Sequence, residues 1–354
     1  MSKRIIALLL ALVMVFALCA CGNGGNGGNS AGTEDVGDET YTIRIACENS
    51  DSYPATLGLY QMEKYVESHT NGKVQVEVCA SGQLGGEEET LEQVAQGNLE
   101  MAVASFAPVV SYVPEFEVMD IPFVYNSYTE AWMVLDSYVG TNLLDKMEAQ
   151  GLKGMAYMEN GMRQVTSNVS AINSIADFKG VKLRTMQNNN HMESFSALGA
   201  NPTPVAFSEL YISLSQKVVE AQENPIANVT DKKLYEVQKY LSLTNHIYDA
   251  MPLVCNLEFF NSLPQAYQKV VQAGAIYAQE FSRFCNLERE DLILADLADK
   301  YGMQINEVSA EARAEMAKVA QPAVIKLVAK DIGQDAVDQY MNDVKDVLAQ
   351  ISKF

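Results

Sequence analysis

Segments with strand and helix patterns alternate along this chain in two separate rounds. In the first round, alternating apolar residues predict strands at 41–47 and 73–80, and an apolar run predicts a third strand at 99–105. Apolar residues at helical spacing predict a helix at 53–69, and a second helix at 87–97 begins with three glutamates and ends at a glycine. This order predicts an α/β domain with a largely parallel sheet.

The same alternation restarts after residue 150. Two short strands are predicted at 154–158 and 162–167, on either side of a turn at 159–161 (ENG), and a compact strand is predicted at 181–185. Helices are expected near 174–180 and 190–198, from Ser208 and from Pro225, with a brief strand at 218–221. The second round therefore predicts a second α/β unit of similar build.

The last part of the chain is largely helical. A stretch at 265–301 has Gly274 as its one interior helix breaker, and helices are expected at 309–321 and 335–351. At about 1.5 Å per residue, the first of these helices is long enough to run along two domains. From residue 41 onward the chain has 314 residues, which exceeds the size that one hydrophobic core usually serves. We therefore expect two domains.

The N-terminal segment has the pattern of an export signal. Two basic residues precede an apolar run at 5–18, which is shorter than the roughly 20 residues of a membrane-spanning helix. The run ends in LCAC, which resembles a bacterial lipobox whose last residue, Cys21, is lipidated. We predict a signal peptide at 1–20 and a lipidated, flexible, polar tether at 21–40 that anchors the protein to the cell membrane. A signal peptide with a chance cysteine is the alternative.

Charge and motif content argue against several classes of function. The chain has 25 basic and 45 acidic residues, a net charge of −20, and removal of Lys3 and Arg4 with the signal leaves −22. A strongly acidic protein lacks the basic surface that nucleic acid requires, so no nucleic-acid partner is expected. Only three histidines occur, with no H-E-x-x-H, G-x-S-x-G or phosphate-loop motif. We therefore predict no metal site, no cofactor and no enzymatic activity.

Four cysteines lie beyond the predicted tether, and none forms a C-x-x-C pair. In an exported protein they are able to form disulfides, with three possible pairings. The other interpretation is that they are small buried residues with free thiols. The four are Cys47, Cys79, Cys255 and Cys285.

Several motifs in the two predicted domains resemble those of TRAP-transporter solute-binding proteins of the DctP type. They recur in the family's order over nearly all of 41–301. The chain departs from the family pattern at 217–222 (KVVEAQ), where many members carry a glycine and this chain has Ala221. The matching segments are 72–78 (GKVQVEV), 81–87 (SGQLGGE), 161–163 (GMR), 177–184 (DFKGVKLR), 198–204 (LGANPTP), 207–211 (FSELY), 222–225 (QENP) and 235–240 (YEVQKY).

The resemblance implies both a fold and a function. The implied fold is an α/β, two-domain clamp like that of periplasmic binding proteins, with a long helix at about 264–301 spanning both domains. The implied function is that of a monomeric extracytoplasmic protein, which captures a small carboxylate, such as a sugar acid, and delivers it to a TRAP permease. The implied division is domain I at 41–160 plus about 250–285, domain II at 161–249 plus about 286–320, and C-terminal helices at 321–354.

The resemblance also assigns roles to four residues. In the family an arginine at the end of a second-domain strand grips the carboxylate of the solute, which corresponds to Arg184. A second arginine after a glycine turn assists it, which corresponds to Arg163. A solute-contacting asparagine corresponds to Asn224, and an aromatic residue that packs against the solute corresponds to Phe207.

The residues themselves support the role of Arg184. Ligands of open α/β sheets bind beyond the carboxyl ends of the strands, where Arg184 is predicted to lie. Its guanidinium offers a planar fork that binds a carboxylate through two hydrogen bonds. The alternatives are a structural ion pair for Arg184 and Arg163, a helix cap before Pro225 for Asn224, and a core position for Phe207.

Three further polar residues are candidates for ligand contact. Glu48 follows the first strand and Glu87 lies beside a glycine-rich turn, where the first domain would offer groups to the hydroxyls of a sugar acid. Gln187 follows Arg184 closely enough to reach the same crevice. A solvated surface position is the alternative for all three.

Two other functions compete with the one that the resemblance implies. A ligand-binding protein of another importer or of a sensor system shares the clamp architecture, because a fold does not determine a function. A carboxylate-processing enzyme is the second alternative. The sequence does not identify the solute.

Overall fold

The computed structural model describes residues 39–350, and the predicted signal peptide, Cys21 and residues 21–38 of the predicted tether lie outside the described residues. The strands are β1 Tyr41–Ala46, β2 Val74–Cys79, β3 Met101–Val103, β4 Leu152–Ser167, β5 Lys182–Thr185, β6 Asn201–Pro204, β7 Ala221–Pro225, β8 Tyr240–Leu243, β9 Tyr248–Asn256 and β10 Gln304–Glu307. The helices are α1 Pro54–His69, α2 Glu87–Ala95, α3 Phe106–Val109, α4 Tyr128–Leu135, α5 Tyr138–Lys146, α6 Asn189–Ala197, α7 Leu210–Ser215, α8 Ile226–Asp231, α9 Leu257–Ser262, α10 Gln265–Asp299, α11 Ala310–Ile332 and α12 Gln334–Leu348.

The strands form a mixed sheet in the order β2-β1-β3-β9-β4-β7-β5-β6, with β8 beside β4 and β10 beside β8. Strand β1 is parallel to β2 and β3, and β5 is parallel to β6 and β7. The middle of the sheet is antiparallel, because β9 and β4 run against their neighbours. The prediction of a largely parallel sheet is therefore correct for each end of the sheet and wrong for its centre.

The sheet divides into two lobes, each covered by helices on both faces. The first lobe contains β1, β2, β3, β9 and the first half of β4, and the second contains β5 to β8, β10 and the second half of β4. Alternating residues of a strand serve opposite faces, so Ile43 and Ile45 enter one core of the first lobe and Ala46 enters the other. The second lobe has two cores as well, around Phe178 and Leu241. This architecture confirms the predicted two-domain α/β fold.

Strand β4 joins the two lobes directly. Its residues from Leu152 to Met162 pair with β9, and those from Arg163 to Ser167 pair with β7. The prediction of two short strands around a turn is wrong here, because the chain stays extended through 159–161 and accommodates them as an irregularity in the pairing. Gly161 has a φ of 126°, a conformation that favours glycine.

Two helices, rather than one, span both lobes. The predicted long helix is α10, with 35 residues, and it contributes Val271 and Ala275 to a first-lobe core and Leu297 to a second-lobe core. Helix α11 contributes Met316 to the second lobe and Val328 to the first. Its predicted end before Pro322 is wrong, because packing against both cores continues the helix through the proline to Ile332.

The described part of the chain has two further features that bear on the predictions. Within it, no helix is long and apolar enough to cross a membrane. The four cysteines of this part are buried and have free thiols, so the interpretation as small buried residues is correct and no disulfide forms among them.

Candidate ligand-binding site

A cavity lies between the two lobes. First-lobe residues after β1 and β3 and at the start of α2 form one wall, and second-lobe residues at the ends of β5 and β7 and after β6 form the other. Most of the lining side chains are polar, which is typical of a site for a hydrophilic solute rather than an apolar one. The lining residues are Glu48, Asn49, Glu87, Glu88, Ser105, Pro108, Asn160, Arg184, Met186, Gln187, Val205, Ala206, Phe207, Asn224, Asn228 and Met251.

Six of the seven predicted ligand-binding residues line this cavity. They come from five separate segments of the sequence and from both lobes, so the fold alone brings them together. Their presence in one cavity is consistent with the predicted roles, although a ligand contact for each stays a prediction. The six are Arg184, Asn224, Phe207, Glu87, Glu48 and Gln187.

Arg184 lies in β5 with only 1% of its surface exposed. Its Nε donates a hydrogen bond to the Val205 carbonyl oxygen at 2.8 Å, whereas its Nη1 has no hydrogen-bond partner among residues 39–350. Burial lowers the pKa of Arg184 to about 10, against the attraction of Glu223, so the guanidinium is charged at neutral pH. A buried guanidinium with an unused donor is a strong site for an anionic ligand, because an unpaired buried charge is costly.

Arg163 lies in β4 but does not line the cavity, contrary to the expectation of direct solute contact. It is fully buried and forms ion pairs with Glu223 and with Asp249, the latter at 2.9 Å. Burial by itself would lower the pKa of Arg163, but the two carboxylates raise it above its usual value. The alternative of a structural ion pair describes this residue, since both carboxylates that bind it belong to the protein.

The carboxylate of Glu223 connects Arg163 to two histidines. His246 Nε2 lies 3.1 Å from its Oε2, and His191 Nδ1 lies 3.7 Å from its Oε1. Burial tends to raise the pKa of Glu223, but Arg163, the hydrogen bond from His246 and the nearby His191 hold it well below its usual value. Glu223 is therefore ionised, and it stabilises the positive charge behind the cavity.

His191 also bridges the lobes through Asp120, which ends a 3-10 helix at Pro114–Asp120 in the first lobe. Burial opposes the charge on His191, but Asp120 and Glu223 raise its pKa to about 9. Asp120 additionally accepts hydrogen bonds from the side chains of Asn188 and Asn190, at 2.9 and 3.2 Å. It thus anchors the start of α6, directly after the segment that carries Arg184 and Gln187.

Asn224 is held in the cavity wall by side-chain hydrogen bonds. Its Oδ1 accepts from Arg163 Nη2 at 3.3 Å and from Asn228 Nδ2 at 3.2 Å, and its Nδ2 donates to Gln222 Oε1 at 2.6 Å. The following helix, α8, has no side-chain cap. The alternative interpretation of Asn224 as a helix cap is therefore wrong, and Ala221, at the start of the same strand, is accommodated in ordinary extended backbone.

Glu48 and Glu87 are adjacent in the first-lobe wall. Glu48 Oε2 accepts a hydrogen bond from the backbone N–H of Glu87 at 3.2 Å, and Glu87 Oε1 accepts one from Ser105 Oγ at 3.1 Å. Glu48 is 7% exposed, and its other oxygen, Oε1, has no partner in the described part of the chain. Desolvation and repulsion from Glu48 raise the pKa of Glu87 to about 8, and desolvation raises that of Glu48.

A glycine turn presents Glu87 to the cavity. Glu87 is the first residue of α2, where a carboxylate suits the positive end of the helix. Gly85 has a φ of 120°, and a Cβ at this position would lie 2.5 Å from Glu89 Oε2. The turn therefore requires glycine, which explains why the glycine-rich motif precedes the acidic residues.

Sequence reasoning missed a network of asparagines that crosses the cavity. Asn49 Nδ2 donates to Asn228 Oδ1 at 2.9 Å, and Asn228 Nδ2 donates to Asn160 Oδ1 at 3.1 Å. Asn160 Nδ2 donates in turn to Asp249 Oδ2 at 2.7 Å. Asn224 lies in a strand and Asn228 lies in the following helix, so no periodic signal links them, and Asn160 was hidden in the predicted turn.

Within residues 39–350, no group of three or more His, Cys, Asp or Glu side chains has an arrangement able to hold a metal ion. His246 is buried and hydrogen-bonded to Thr244 and Glu223. In this part of the chain the site therefore offers one cationic group, several carboxyls and amides, and Phe207 as an aromatic wall.

Comparisons with known proteins give a consistent result. The model of the DctP family, described as bacterial extracellular solute-binding protein, family 7, matches residues 45–331. The C4-dicarboxylate-binding periplasmic protein DctP of Rhodobacter capsulatus is 31% identical over 302 residues, which cover 84% of this chain and 90% of that protein.

Two crystal structures of similar proteins contain a bound sugar acid. The sugar acid binding protein DctPAm of Advenella mimigardefordensis, in complex with galactonate, is 32% identical, with a TM-score of 0.83 over 87% of this chain and 99% of that one. A TRAP periplasmic solute-binding protein from Polaromonas sp. JS666, bound to D-erythronate, is 34% identical, with a TM-score of 0.80 over 85% and 98% of the two chains.

Proposed function

The chain belongs to family 7 of the bacterial extracellular solute-binding proteins, the DctP family, and on this premise we propose that it captures a sugar acid or a similar carboxylate outside the cytoplasm. The protein then delivers the solute to the membrane subunits of a TRAP permease. It acts by binding and release, without chemical conversion of the solute.

The observation that carries this proposal is the state of Arg184. This side chain is almost completely buried in the interlobe cavity, and its Nη1 has no hydrogen-bond partner in the described residues. A carboxylate supplies the acceptor and the negative charge that this group lacks. Hydrogen bonds to charged groups contribute about 1.5–3 kcal/mol each, so a two-bond fork dominates the affinity.

The bound molecules of the relatives support the same solute class. Galactonate and D-erythronate are carboxylates with several hydroxyls, and the cavity of this chain combines one arginine with amide and carboxyl groups that suit hydroxyls. The R. capsulatus relative is named for C4-dicarboxylates. The carboxylate is common to all three, and Arg184 is the group that would recognise it.

Calorimetry with Arg184→Met and Arg184→Lys tests the proposal. Methionine retains most of the volume but removes the charge, and lysine retains the charge but not the fork. We expect the wild type to bind a sugar acid, Arg184→Met to lose about 100-fold or more in affinity, and Arg184→Lys to fall between the two. Unchanged affinity in a folded Arg184→Met variant contradicts the role of Arg184.

Two further experiments separate the competing functions. Mass spectrometry of the solute after incubation with the wild-type protein detects any conversion, and conversion would support an enzyme. Co-purification from membranes with the subunits of another importer or of a sensor kinase would support the other ligand-binding functions. We expect an unaltered solute and co-purification with TRAP permease subunits.

We further propose that Cys21 carries a lipid that anchors the protein to the cell membrane, in accord with the lipobox-like LCAC motif. Metabolic labelling with a radioactive fatty acid tests this point. Labelling is expected for the full chain and should disappear in Cys21→Ala, with the protein released from the membrane fraction. An unlabelled wild-type protein would support a cleaved signal peptide without an anchor.

We also propose that the two lobes are the domains at 41–160 plus about 250–285 and at 161–249 plus about 286–320. They close as a monomer around the solute, because residues of both lobes line the cavity. Limited proteolysis with and without solute tests the boundaries, and light scattering tests the monomer.

A further inference from the structure

Two buried groups of opposite character have unused hydrogen-bonding capacity in the same cavity. Arg184 Nη1 is a donor without a partner, and Glu48 Oε1 is an acceptor without one, within residues 39–350. Both residues line the interlobe cavity, Arg184 from the second lobe and Glu48 from the first. A molecule that satisfies both must therefore accept hydrogen bonds at one point and donate one at another.

The position of the Glu48 carboxyl is determined by its neighbours. Its Oε2 is held by the backbone N–H of Glu87 at 3.2 Å. The Glu87 carboxyl is held in turn by Ser105 Oγ at 3.1 Å. Each carboxyl is therefore attached to the wall by one oxygen, and the two form an acidic pair on the first-lobe side of the cavity.

An acidic pair of this kind repels a second negative charge on the solute. Burial raises the pKa of both carboxyls, and repulsion from Glu48 raises that of Glu87 further, so this wall already disfavours negative charge. Because the pKa of Glu87 is raised to about 8, the pair is not fully ionised at neutral pH, and a solute carboxylate placed against it would add a further negative charge in a poorly solvated place. A hydroxyl in the same place donates a hydrogen bond and adds no charge.

The positive charge of Lys232 makes a hydroxyl a better donor to Glu48 than an ammonium group. Lys232 Nζ donates to the Glu48 carbonyl oxygen at 3.4 Å and lies 4.6 Å from the centre of the Phe207 ring. Its positive charge, together with that of Arg184, opposes a cationic solute group near Glu48.

We propose that Glu48 and Glu87 act as a charge filter, which restricts the site to acids that carry one carboxylate and at least one hydroxyl and rejects dicarboxylates. This inference rests on the proposed function, because it specifies which carboxylates the site accepts. It assigns to Glu48 the hydroxyl contact and to Glu87 the positioning of Glu48.

Calorimetry with two matched sets of solutes tests the filter. The four-carbon set is erythronate, tartrate, succinate and butyrate, and the six-carbon set is galactonate, galactarate, adipate and hexanoate. Within each set the second carboxylate and the hydroxyls vary independently. One of the two sets should match the length of the cavity. In that set, we expect the monoacid with hydroxyls to bind at least about tenfold more tightly than the diacid with hydroxyls, and at least about tenfold more tightly than the monoacid without hydroxyls.

The variants Glu48→Gln and Glu87→Gln then test the residues. An amide keeps the size of the side chain, removes the charge and offers a donor to a second carboxylate. We expect Glu48→Gln to reduce the preference for the monoacid over the diacid to within about threefold. The control is Glu77→Gln on the exposed side of β2, which removes the same charge and should leave the preference unchanged.

Each outcome has a distinct meaning. If the wild type binds diacids as tightly as monoacids, or if neither variant changes their ratio, the filter is wrong while the proposed function stands. A tighter binding of amino acids than of hydroxy acids contradicts the hydroxyl contact. If no acid of either set binds the wild type, the proposed function itself is contradicted. Circular dichroism establishes whether each variant is folded. If Glu48→Gln does not fold, Glu87→Gln is used to test the filter.

Discussion

Two buried arginines, Arg163 in β4 and Arg184 in β5, differ in whether the protein neutralises their charge. Arg163 is paired with Glu223 and Asp249, whereas Arg184 has an Nη1 with no partner among the residues described. A guanidinium whose charge is neutralised by the protein stabilises the fold, and one whose charge is not neutralised is available to a ligand. The partners of a residue, rather than its type, therefore determine its role at this site.

Substitution of each arginine by methionine separates these roles. We expect Arg163→Met to lower the free energy of unfolding by about 3–5 kcal/mol, because two buried carboxylates lose their partner. Arg184→Met leaves no carboxylate unpaired, and its free energy of unfolding should change by about 1 kcal/mol or less. Urea denaturation measures both values, and equal losses in the two variants would refute this distinction.

His191 makes the stability of the protein dependent on pH. Its pKa is about 9 in the folded protein and about 6.5 in an unfolded chain. Its contribution is fully present below about pH 6.5 and is lost as the pH rises through about 9, a loss of about 3 kcal/mol. Burial raises the pKa of Glu87 to about 8 and that of Glu159 to about 7. Both groups therefore also make the protein less stable as the pH rises.

Comparison of the wild type with His191→Gln isolates the contribution of the histidine. Denaturation at pH 6 and at pH 9.5 should show a smaller loss of stability in the variant than in the wild type. His69→Gln, at an exposed position, is the control and should behave like the wild type. An equal loss in His191→Gln and the wild type would show that other groups dominate.

At the scale of elements, the close packing of α1 against α10 holds the first lobe to the long helix. Gly58 of α1 faces the backbone of α10, where a Cβ would lie 2.5 Å from the carbonyl oxygen of Ala278. Gly274 of α10 faces Val66 of α1 in the same way, at 2.8 Å from its Cγ2. Glycines inside both helices therefore serve close approach, at a cost in helix propensity.

The variant Gly58→Ala should lower the free energy of unfolding by about 1–3 kcal/mol, because the clash with α10 outweighs the gain in helix propensity. Thermal or urea denaturation measures the change. Lys269→Ala, at an exposed position on α10, should stay within about 0.5 kcal/mol of the wild type. A more stable Gly58→Ala variant would mean that the helices adjust without cost.

At the scale of the whole molecule, direct contacts between the lobes border the cavity. Asp231 of α8 accepts hydrogen bonds from the backbone N–H of Ser50, at 3.3 Å, and from its hydroxyl. Asn49 and Asn228 form a second contact at 2.9 Å. A ligand that contacts both lobes binds to the closed state. Any contact that stabilises the closed state therefore increases the affinity for the ligand.

The Ser50–Asp231 contact should therefore affect affinity without touching the solute. We expect Asp231→Ala to weaken binding by about threefold to tenfold, because the closed state loses a charge-assisted contact. Calorimetry measures the affinity, and X-ray scattering of the unliganded variant should show a more open molecule. Asp291→Ala, at an exposed position of α10, is the control, and an unchanged affinity in Asp231→Ala would exclude a role in closure.

The sequence by itself determined the elements whose signals are local. Strands β1, β2, β3 and β5, the long helix and the strand-end position of Arg184 follow from periodicity, from caps and from short motifs that lie within a few residues, whereas β6 was not predicted. The prediction that six residues from distant segments lie in one cavity required the family resemblance, because the family motifs indicate where each segment lies in the fold.

Only the tertiary structure decided which charges are neutralised and where the chain overrides its local signals. Glu223 and Asp249 reach Arg163 from other strands. The turn predicted at 159–161 becomes part of β4, because pairing with β9 on one side and β7 on the other holds the chain extended. Helix α11 continues through Pro322 because it packs on the cores of both lobes. Each of these outcomes depends on contacts between residues far apart in the chain. The free energy of those contacts outweighs the local conformational preference, and a short segment of sequence contains no information about them.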